Sequence, residues 1–252
     1  MPEYATRVLR PVEVVLLARY REVLSGRVLE LGCGAGRLLG YFLTLGAQAH
    51  GIDLAPAMVE YCRRVYPTAD VRVGDLRSVG EWDGGGLDSV FASYNVLDVL
   101  DDAERRRVLA AIRELIAPGG ILIFSSHNLE AVDGAAEAGA RPMLARGRAL
   151  GQKLLDRPPA AVLRALRRTP RRLRNRRRLV KLERRTDNYA ILNDIAQDYG
   201  LLHYYIGRDE QERQLEQLGY ELLECLDLEG FPVRRGAGSR STELHYVARP
   251  RI

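Results

Sequence analysis

The residues of this chain whose types and spacing could do chemistry together begin at Glu30. That acid precedes three glycines on alternate positions, Gly32, Gly34 and Gly36, in V-L-E-L-G-C-G-A-G over residues 28–36. Glycines adopt left-handed backbone without penalty and let a ligand lie against the main chain; Cys33 is a small spacer between two of them. Asp53 follows in G-I-D-L, Asp75 in V-G-D-L, and Asn95 in Y-N-V-L. An acid after a second strand can accept both hydroxyls of a ribose, and one after a third can accept from the exocyclic amine of a base. Further on, Asp98 and His127 (S-S-H-N) are candidate proton acceptors, with Tyr94 an aromatic neighbour.

The elements that must position these residues alternate strand and helix. An amphipathic helix over Pro11–Leu24 leads into an apolar strand at Arg27–Leu31, a helix at Arg37–Leu45 and a strand at Ala47–Asp53. Pro56, a favoured first-turn residue, opens a helix to about Tyr66. Strands at Asp70–Gly74 and Leu87–Ser93, a helix at Asp101–Ile116, a Pro118-Gly119-Gly120 turn and a strand at Ile121–Ser126 complete the run. Such alternation implies a doubly wound, mostly parallel α/β sheet, and every candidate above falls at a carboxyl end of a strand, where such sheets bind ligands. The pattern lapses from Leu129 to Arg208 and returns as a helix at Asp209–Leu218 and strands at Tyr220–Leu228 and Leu244–Arg249. The expected organisation is one domain from 1–128 and 207–252, interrupted by a helical, Arg-rich insertion at 129–206 after strand five. Helices are expected over Ala135–Lys181, broken at Pro158-Pro159 and Pro170.

Composition narrows the class. Of 252 residues, 46% are hydrophobic and 28% charged, an ordinary globular balance with material for a sizeable core. Cys33, Cys62 and Cys225 show no C-x-x-C spacing and read as reduced, buried thiols of a cytoplasmic protein, with no metal site. The apolar run Val14–Ala18 is too short for a signal peptide, and no stretch approaches the ~20 residues of a membrane span. The net charge of +5 is local in origin: residues 164–185 carry twelve basic side chains and one acid, so the remainder is net acidic.

Taken in order, V-L-E-L-G-C-G-A-G, G-I-D-L, V-G-D-L, N-V-L and L-I-A-P-G-G-I-L-I resemble the motifs of class I S-adenosylmethionine-dependent methyltransferases over residues 20–128 and 209–250. The resemblance implies a seven-stranded Rossmann-like sheet with one antiparallel last strand, S-adenosylmethionine as cofactor and S-adenosylhomocysteine as product. It implies that Gly32, Cys33, Gly34 and Gly36 pass under the methionine part with Glu30 shaping the loop. Asp53 would hold the ribose hydroxyls; Gly74, Asp75 and the Leu76 backbone would read the adenine; Asn95 would help hold the methionine end; Leu54 and Met58 would pack on the adenosine. A dehydrogenase is the rival for a glycine loop, but its G-x-G-x-x-G cradles a pyrophosphate, which Glu30 would repel. Each residue also has a plainer role open to it: a tight turn for the glycines, a helix cap for Asp53, a loop acid for Asp75, core packing for Met58.

A methyl acceptor must be aligned, shielded from water and, if a hydroxyl, deprotonated. The candidates are Asp98, which stands where the family often has histidine, then His127 and Tyr94. Tyr199, His203, Tyr204 and Tyr205, in D-Y-G-L-L-H-Y-Y-I before the returning helix, are candidate acceptor contacts, or else a plain edge strand. The Arg164–Arg185 block suits an anionic membrane surface at the inner face, an acidic or lipid-linked acceptor, or RNA phosphates; it lacks stacking aromatics, which weighs against RNA. The reading is methyl transfer to oxygen or nitrogen of a small or lipid- or sugar-linked acceptor. Its alternatives are an RNA methyltransferase and a non-catalytic cofactor-binding partner subunit.

Overall fold

The computed structural model describes residues 8–137, 170–194 and 196–251. Pro11 begins α1 (Pro11–Arg19), and the Glu13 carboxylate caps it by accepting the Arg10 N–H at 2.8 Å. A single turn, α2 (Arg21–Leu24), leads to β1 (Arg27–Leu31). Then follow α3 (Arg37–Thr44), β2 (Gln48–Asp53), α4 (Pro56–Val65), β3 (Asp70–Val73), β4 (Leu87–Ala92), α5 (Asp102–Leu115) and β5 (Ile116–Asn128). Beyond them lie α6 (Leu129–Glu137), α7 (170–179), β6 (Arg184–Arg185), β7 (Tyr189–Leu192), β8 (His203–Ile206), α8 (Arg208–Gln217), β9 (Tyr220–Leu226) and β10 (Glu243–Pro250).

The central sheet has the order β3-β2-β1-β4-β5-β10-β9, with β10 alone running against its neighbours. Strand alternation divides the core in two. Leu29, Leu31, Val90, Leu122 and Phe124 pack under α5 and α8; Val28, Phe91, Ile121 and Ile123 pack under α1, α3 and α4. Asp101 starts α5 by accepting the Glu104 N–H at 2.8 Å, with Val108, Leu109 and Ile112 on the buried face.

The seven strands of this order are those expected; among the described residues three more, β8, β7 and β6, extend the sheet. β5 outruns β4, whose last partner pair is Ala92 with Phe124. Past that point His127 and Asn128 pair instead with Tyr205 and Ile206 of β8, and β7 and β6 continue antiparallel from there. β10 already covers the other side of β5 as far as His127, so β8 takes the side that β4 vacates. The inserted segment is therefore not wholly helical: after a short turn at Val180–Leu182 it becomes strand, and it is joined to the parent sheet by main-chain pairing. β8 is internal and buried, not an edge strand. The breaks at Pro158-Pro159 and the basic residues of 164–169 lie outside the described residues. Among the described residues no helix is long and apolar enough to cross a membrane.

Candidate active site

The glycine loop is built as the spacing predicts. Gly32, Gly34 and Gly36 have φ of +65°, +52° and +75°, the left-handed region that favours glycine. A Cβ on Gly32 would stand 2.4 Å from Val96, so the turn after β4 sits against this loop; a Cβ on Gly34 would meet nothing within 4 Å. Glu30 is buried beneath. Burial pushes its carboxyl well above the ordinary range against the pull of Arg37, and its Oε2 finds no hydrogen-bond partner among the described residues. Asp53 ends β2 and accepts from the Gly34 N–H and the Ala55 N–H, both at 2.8 Å, so it braces the loop and opens α4 together. Leu54 beside it is exposed and Met58 half-buried. Asp75 follows Gly74 and caps the turn beginning at Leu76, accepting the Arg77 N–H at 2.9 Å and pairing with the Arg77 guanidinium. Cys33 is buried between the glycines, and the Cys62 thiol of α4 donates to the Gly34 carbonyl at 3.1 Å.

A second cluster borders this loop, and most of it lies outside the sequence motifs. Glu13 is buried and accepts two hydrogen bonds from the Arg37 guanidinium, 2.6 Å at Oε1, while Ser93 donates to it at 2.7 Å. Burial raises the pKa of Glu13, but the Arg37 hydrogen bond and charge, the Arg10 N–H and Ser93 outweigh it and hold the carboxyl below its usual value. Asn95, left-handed at φ +57° and buried, donates to Glu243 at 3.1 Å, and Glu243 also pairs with Arg10. The Asn95 Oδ1 is buried without a partner among the described residues. Tyr94 is held here, its ring 3.7 Å under the Arg10 guanidinium and 4.7 Å from that of Arg37. It stands beside the glycine-loop cluster through these two guanidinium groups.

Asp98 and His127 are brought together. The turn Val96–Val99 buries Asp98 completely. Its Oδ1 accepts from Arg105 at 2.6 Å and Ser126 at 2.8 Å; its Oδ2 accepts the His127 N–H and meets His127 Nδ1, both at 2.7 Å. With Asp98 already accepting from Arg105, Ser126 and the His127 N–H, this places the Nδ1 proton on His127 and leaves Nε2 on the side of Asp194. Burial lowers the His127 pKa, but the Asp98 bond and charge, then Asp194 and Glu243, overcome it and hold the ring above 6.5. Asp194, absent from the sequence candidates, has Oδ2 3.9 Å from His127 Nε2.

The four aromatic-segment residues divide. His203 and Tyr205 share one face of β8 and flank His127, with ring centroids 5.2 and 4.7 Å away. Tyr204 is on the opposite face, donating to Asp102 at 2.6 Å and lying over Arg105; it is buried away from His127, a correction that follows from strand alternation. Tyr199 stays within the insertion, its ring 5.0 Å from Arg176 and its carbonyl bonded by Asn193. Among the described residues no three His, Cys, Asp or Glu side chains are placed to hold a metal ion.

Residues 28–120 match the family model described as methyltransferase domain. Ubiquinone biosynthesis O-methyltransferases from Xanthomonas euvesicatoria and Xanthomonas axonopodis are each 30% identical over 131 residues, covering 50% of this chain and 54% of theirs. The chain thus aligns with about half the length of these curated relatives. The CcbJ methyltransferase of Streptomyces caelestis superposes with a TM-score of 0.60 at 19% identity, over 99% of this chain and 94% of its own. The glycopeptide N-methyltransferase MtfA does so at 0.59 and 19%, over 98% and 92%, and has been crystallised with S-adenosylmethionine, S-adenosylhomocysteine and sinefungin. The matched domain over residues 28–120 and the shared fold agree with the motifs in likening this chain to the class I S-adenosylmethionine-dependent methyltransferases.

Proposed function

We propose that this chain transfers a methyl group from S-adenosylmethionine to an oxygen or nitrogen of a small acceptor, with His127 as the base and Asp98 as the group that orients and charges it. The observation that carries the reading is the Asp98–His127 pair, fixed by Arg105, Ser126 and a backbone N–H, on a turn packed against the glycine loop. The residues present fit the cofactor. The left-handed glycines leave main chain open beside Gly34, the orphaned Asn95 Oδ1 can accept from an ammonium, and Arg10 and Arg37 can face a carboxylate. When bound, the cofactor supplies a methyl group on a positively charged sulfur. Asp53 would then hold the ribose, Asp75 and Leu76 the base, and Leu54 and Met58 the adenosine faces. His203 and Tyr205 would wall the acceptor.

Calorimetry with S-adenosylmethionine and S-adenosylhomocysteine tests the donor half. The expected result is binding that weakens at least tenfold in Asp53→Ala, since a charge-assisted hydrogen bond is worth roughly 1.5–3 kcal/mol. Absence of binding to the unmodified protein overturns the reading. Binding without turnover on any fraction of a cell extract favours the non-catalytic partner subunit.

A second reading concerns where the acceptor is met. The name of the curated relatives speaks of ubiquinone biosynthesis, and α7 together with the following turn exposes Leu173, Val180 and Leu182 among arginines. Contact with an anionic membrane surface through that face is consistent with a lipid-linked acceptor.

A further inference from the structure

Resting on the methyl-transfer reading, we infer that Arg105 is a positioning residue for His127: it holds one oxygen of Asp98 so that the other serves the imidazole, and its charge tempers the pull of that carboxylate on the ring. Arg105 is fully buried on α5, on the stripe of Val108, Leu109 and Ile112, with its guanidinium 4.8 Å from the Tyr204 ring and 5.7 Å from that of Phe124. An apolar side chain would complete the core there. A buried ion pair adds little net stability over well-packed apolar residues, so stability is a poor reason to keep the charge.

The guanidinium divides Asp98 between two tasks. Arg105 Nη1 donates to Asp98 Oδ1 at 2.6 Å, and Ser126 donates to the same oxygen at 2.8 Å. Oδ2 is left to the His127 N–H and Nδ1. Anchored at both oxygens, the carboxylate is held against rotation, and the plane of the imidazole is set with it. Arg105 is held in turn. Its Nη2 donates to Gln211 Oε1 at 2.8 Å, and Gln211 Nε2 donates to Gln214 Oε1 at 3.0 Å. Gln214 Nε2 donates to the Tyr204 hydroxyl at 3.2 Å, which donates to Asp102 at 2.6 Å. The direction of each bond is fixed from both ends, because a guanidinium only donates and a carboxylate only accepts. Turning the Gln211 amide over would set donor against donor at Arg105. Gln211 and Gln214 are both buried on α8, so two helices hold one cation behind the carboxylate of His127.

Charge supplies the second effect. The groups facing His127 are Asp98 on its turn, Asp194 after β7, His203 and Tyr205 on β8, and Glu243 on β10. Arg105 of α5 stands behind Asp98, close to Tyr204 of β8 and Tyr246 of β10. Asp98 favours the protonated ring, and an imidazolium locked to a lone buried carboxylate keeps its proton and is idle as a base. Arg105 draws on the same carboxylate and weakens that hold. Removing its charge raises the pH at which the Asp98–His127 pair gives up its proton, however the two share it.

The experiment follows the His127 ring by NMR in the free protein, its signals among those of four histidines assigned by their loss in His127→Asn. The expected midpoint is higher in Arg105→Met than in the unmodified protein and returns towards it in Arg105→Lys, which keeps the charge. Gln211→Glu leaves Arg105 in place and sets a carboxylate against its Nη2, where the guanidinium holds it ionised. It should raise the midpoint too, and it decides the matter where Arg105→Met does not fold. An unchanged midpoint in either folded variant overturns the inference, since an arginine with a purely structural role would leave it unmoved. With isotope-labelled S-adenosylmethionine and a small-molecule extract, label transfer at neutral pH should fall about tenfold in Arg105→Met, part of the roughly 10²–10⁴ that a positioned base contributes. The apparent KM for S-adenosylmethionine should not change. Undiminished transfer, or labelled product with a midpoint indifferent to both substitutions, overturns the inference and leaves the methyltransferase reading standing. No labelled product from the unmodified protein above a heat-inactivated control overturns that reading, whatever the midpoint does.

Discussion

Asp98 meets four hydrogen-bond donors with one buried carboxylate, and the base role proposed for His127 depends on all four. Asp98→Asn keeps the volume but can no longer take the Nδ1 proton in the same way, and it removes the charge that stabilises an imidazolium. Turnover should fall at least a hundredfold, within the range general bases contribute. His127 must be deprotonated to act, so the rate should climb through an acid limb centred above 6.5 in the unmodified protein. In Asp98→Asn that limb should move to lower pH. Steady-state rates from pH 5 to 9 check both points. The linkage to folding has the opposite sense: a histidine held above its unfolded value stabilises the fold fully below about 6.5, and that contribution is lost as pH rises through the raised value. A rate profile without an acid limb would remove His127 from the base role.

At the scale of elements, the arrangement depends on β5 outrunning β4. The extra length carries His127 to a place where β8 can pair beside it and where the turn after β4 can reach it. Tyr204 ties this addition to the parent domain through Asp102 at 2.6 Å and Gln214 at 3.2 Å. Tyr204→Phe should lower stability by about 1–2 kcal/mol in urea unfolding, the cost of leaving buried partners unsatisfied. Cofactor affinity should stay unchanged, because the glycine loop, Asp53 and Asp75 lie at β1 to β3. Legibility in the sequence follows the same division. Gly32, Gly34, Gly36, Asp53 and Asp75 could be found because each stands directly after a strand with a recognisable apolar pattern. The Asp98–His127 contact spans 29 residues and depends on strand register, which no local pattern encodes. Asp194 lies in I-L-N-D-I, a stretch without a motif. Arg105 did leave a signal: it shares the helical stripe of Val108, Leu109 and Ile112, and an arginine on an apolar stripe requires a buried counter-charge.

For the whole molecule, charge is divided as unevenly as structure. Arg171, Arg174, Arg177, Arg178 and Lys181 are exposed on α7 and the turn after it, on a chain whose remainder is net acidic. A solvated basic face would explain the arginines, but Leu173, Val180 and Leu182 are 53%, 40% and 53% exposed on the same segment. Water gives no reason to keep three apolar side chains there, whereas an anionic lipid surface accepts both kinds at once. The segment is also fastened to its neighbours: Arg172 pairs with Asp198 at 2.7 Å, Asn175 donates to the Asp198 carbonyl at 3.1 Å, and Arg185 pairs with Asp133 of α6 at 2.7 Å. Docking this face would hold the proposed acceptor site close to the interface, which suits an acceptor with a lipid tail. The protein should co-sediment with vesicles containing anionic phospholipid and not with purely zwitterionic ones. Raising salt from 0.1 to 0.5 M should release most of it, because surface charge acts over only about 10 Å at 0.1 M. Leu173→Asp combined with Leu182→Asp should weaken vesicle binding at low salt while leaving cofactor affinity intact. Equal binding to both vesicle types, or tighter salt-dependent binding to tRNA than to anionic vesicles, would turn this face over to a different partner.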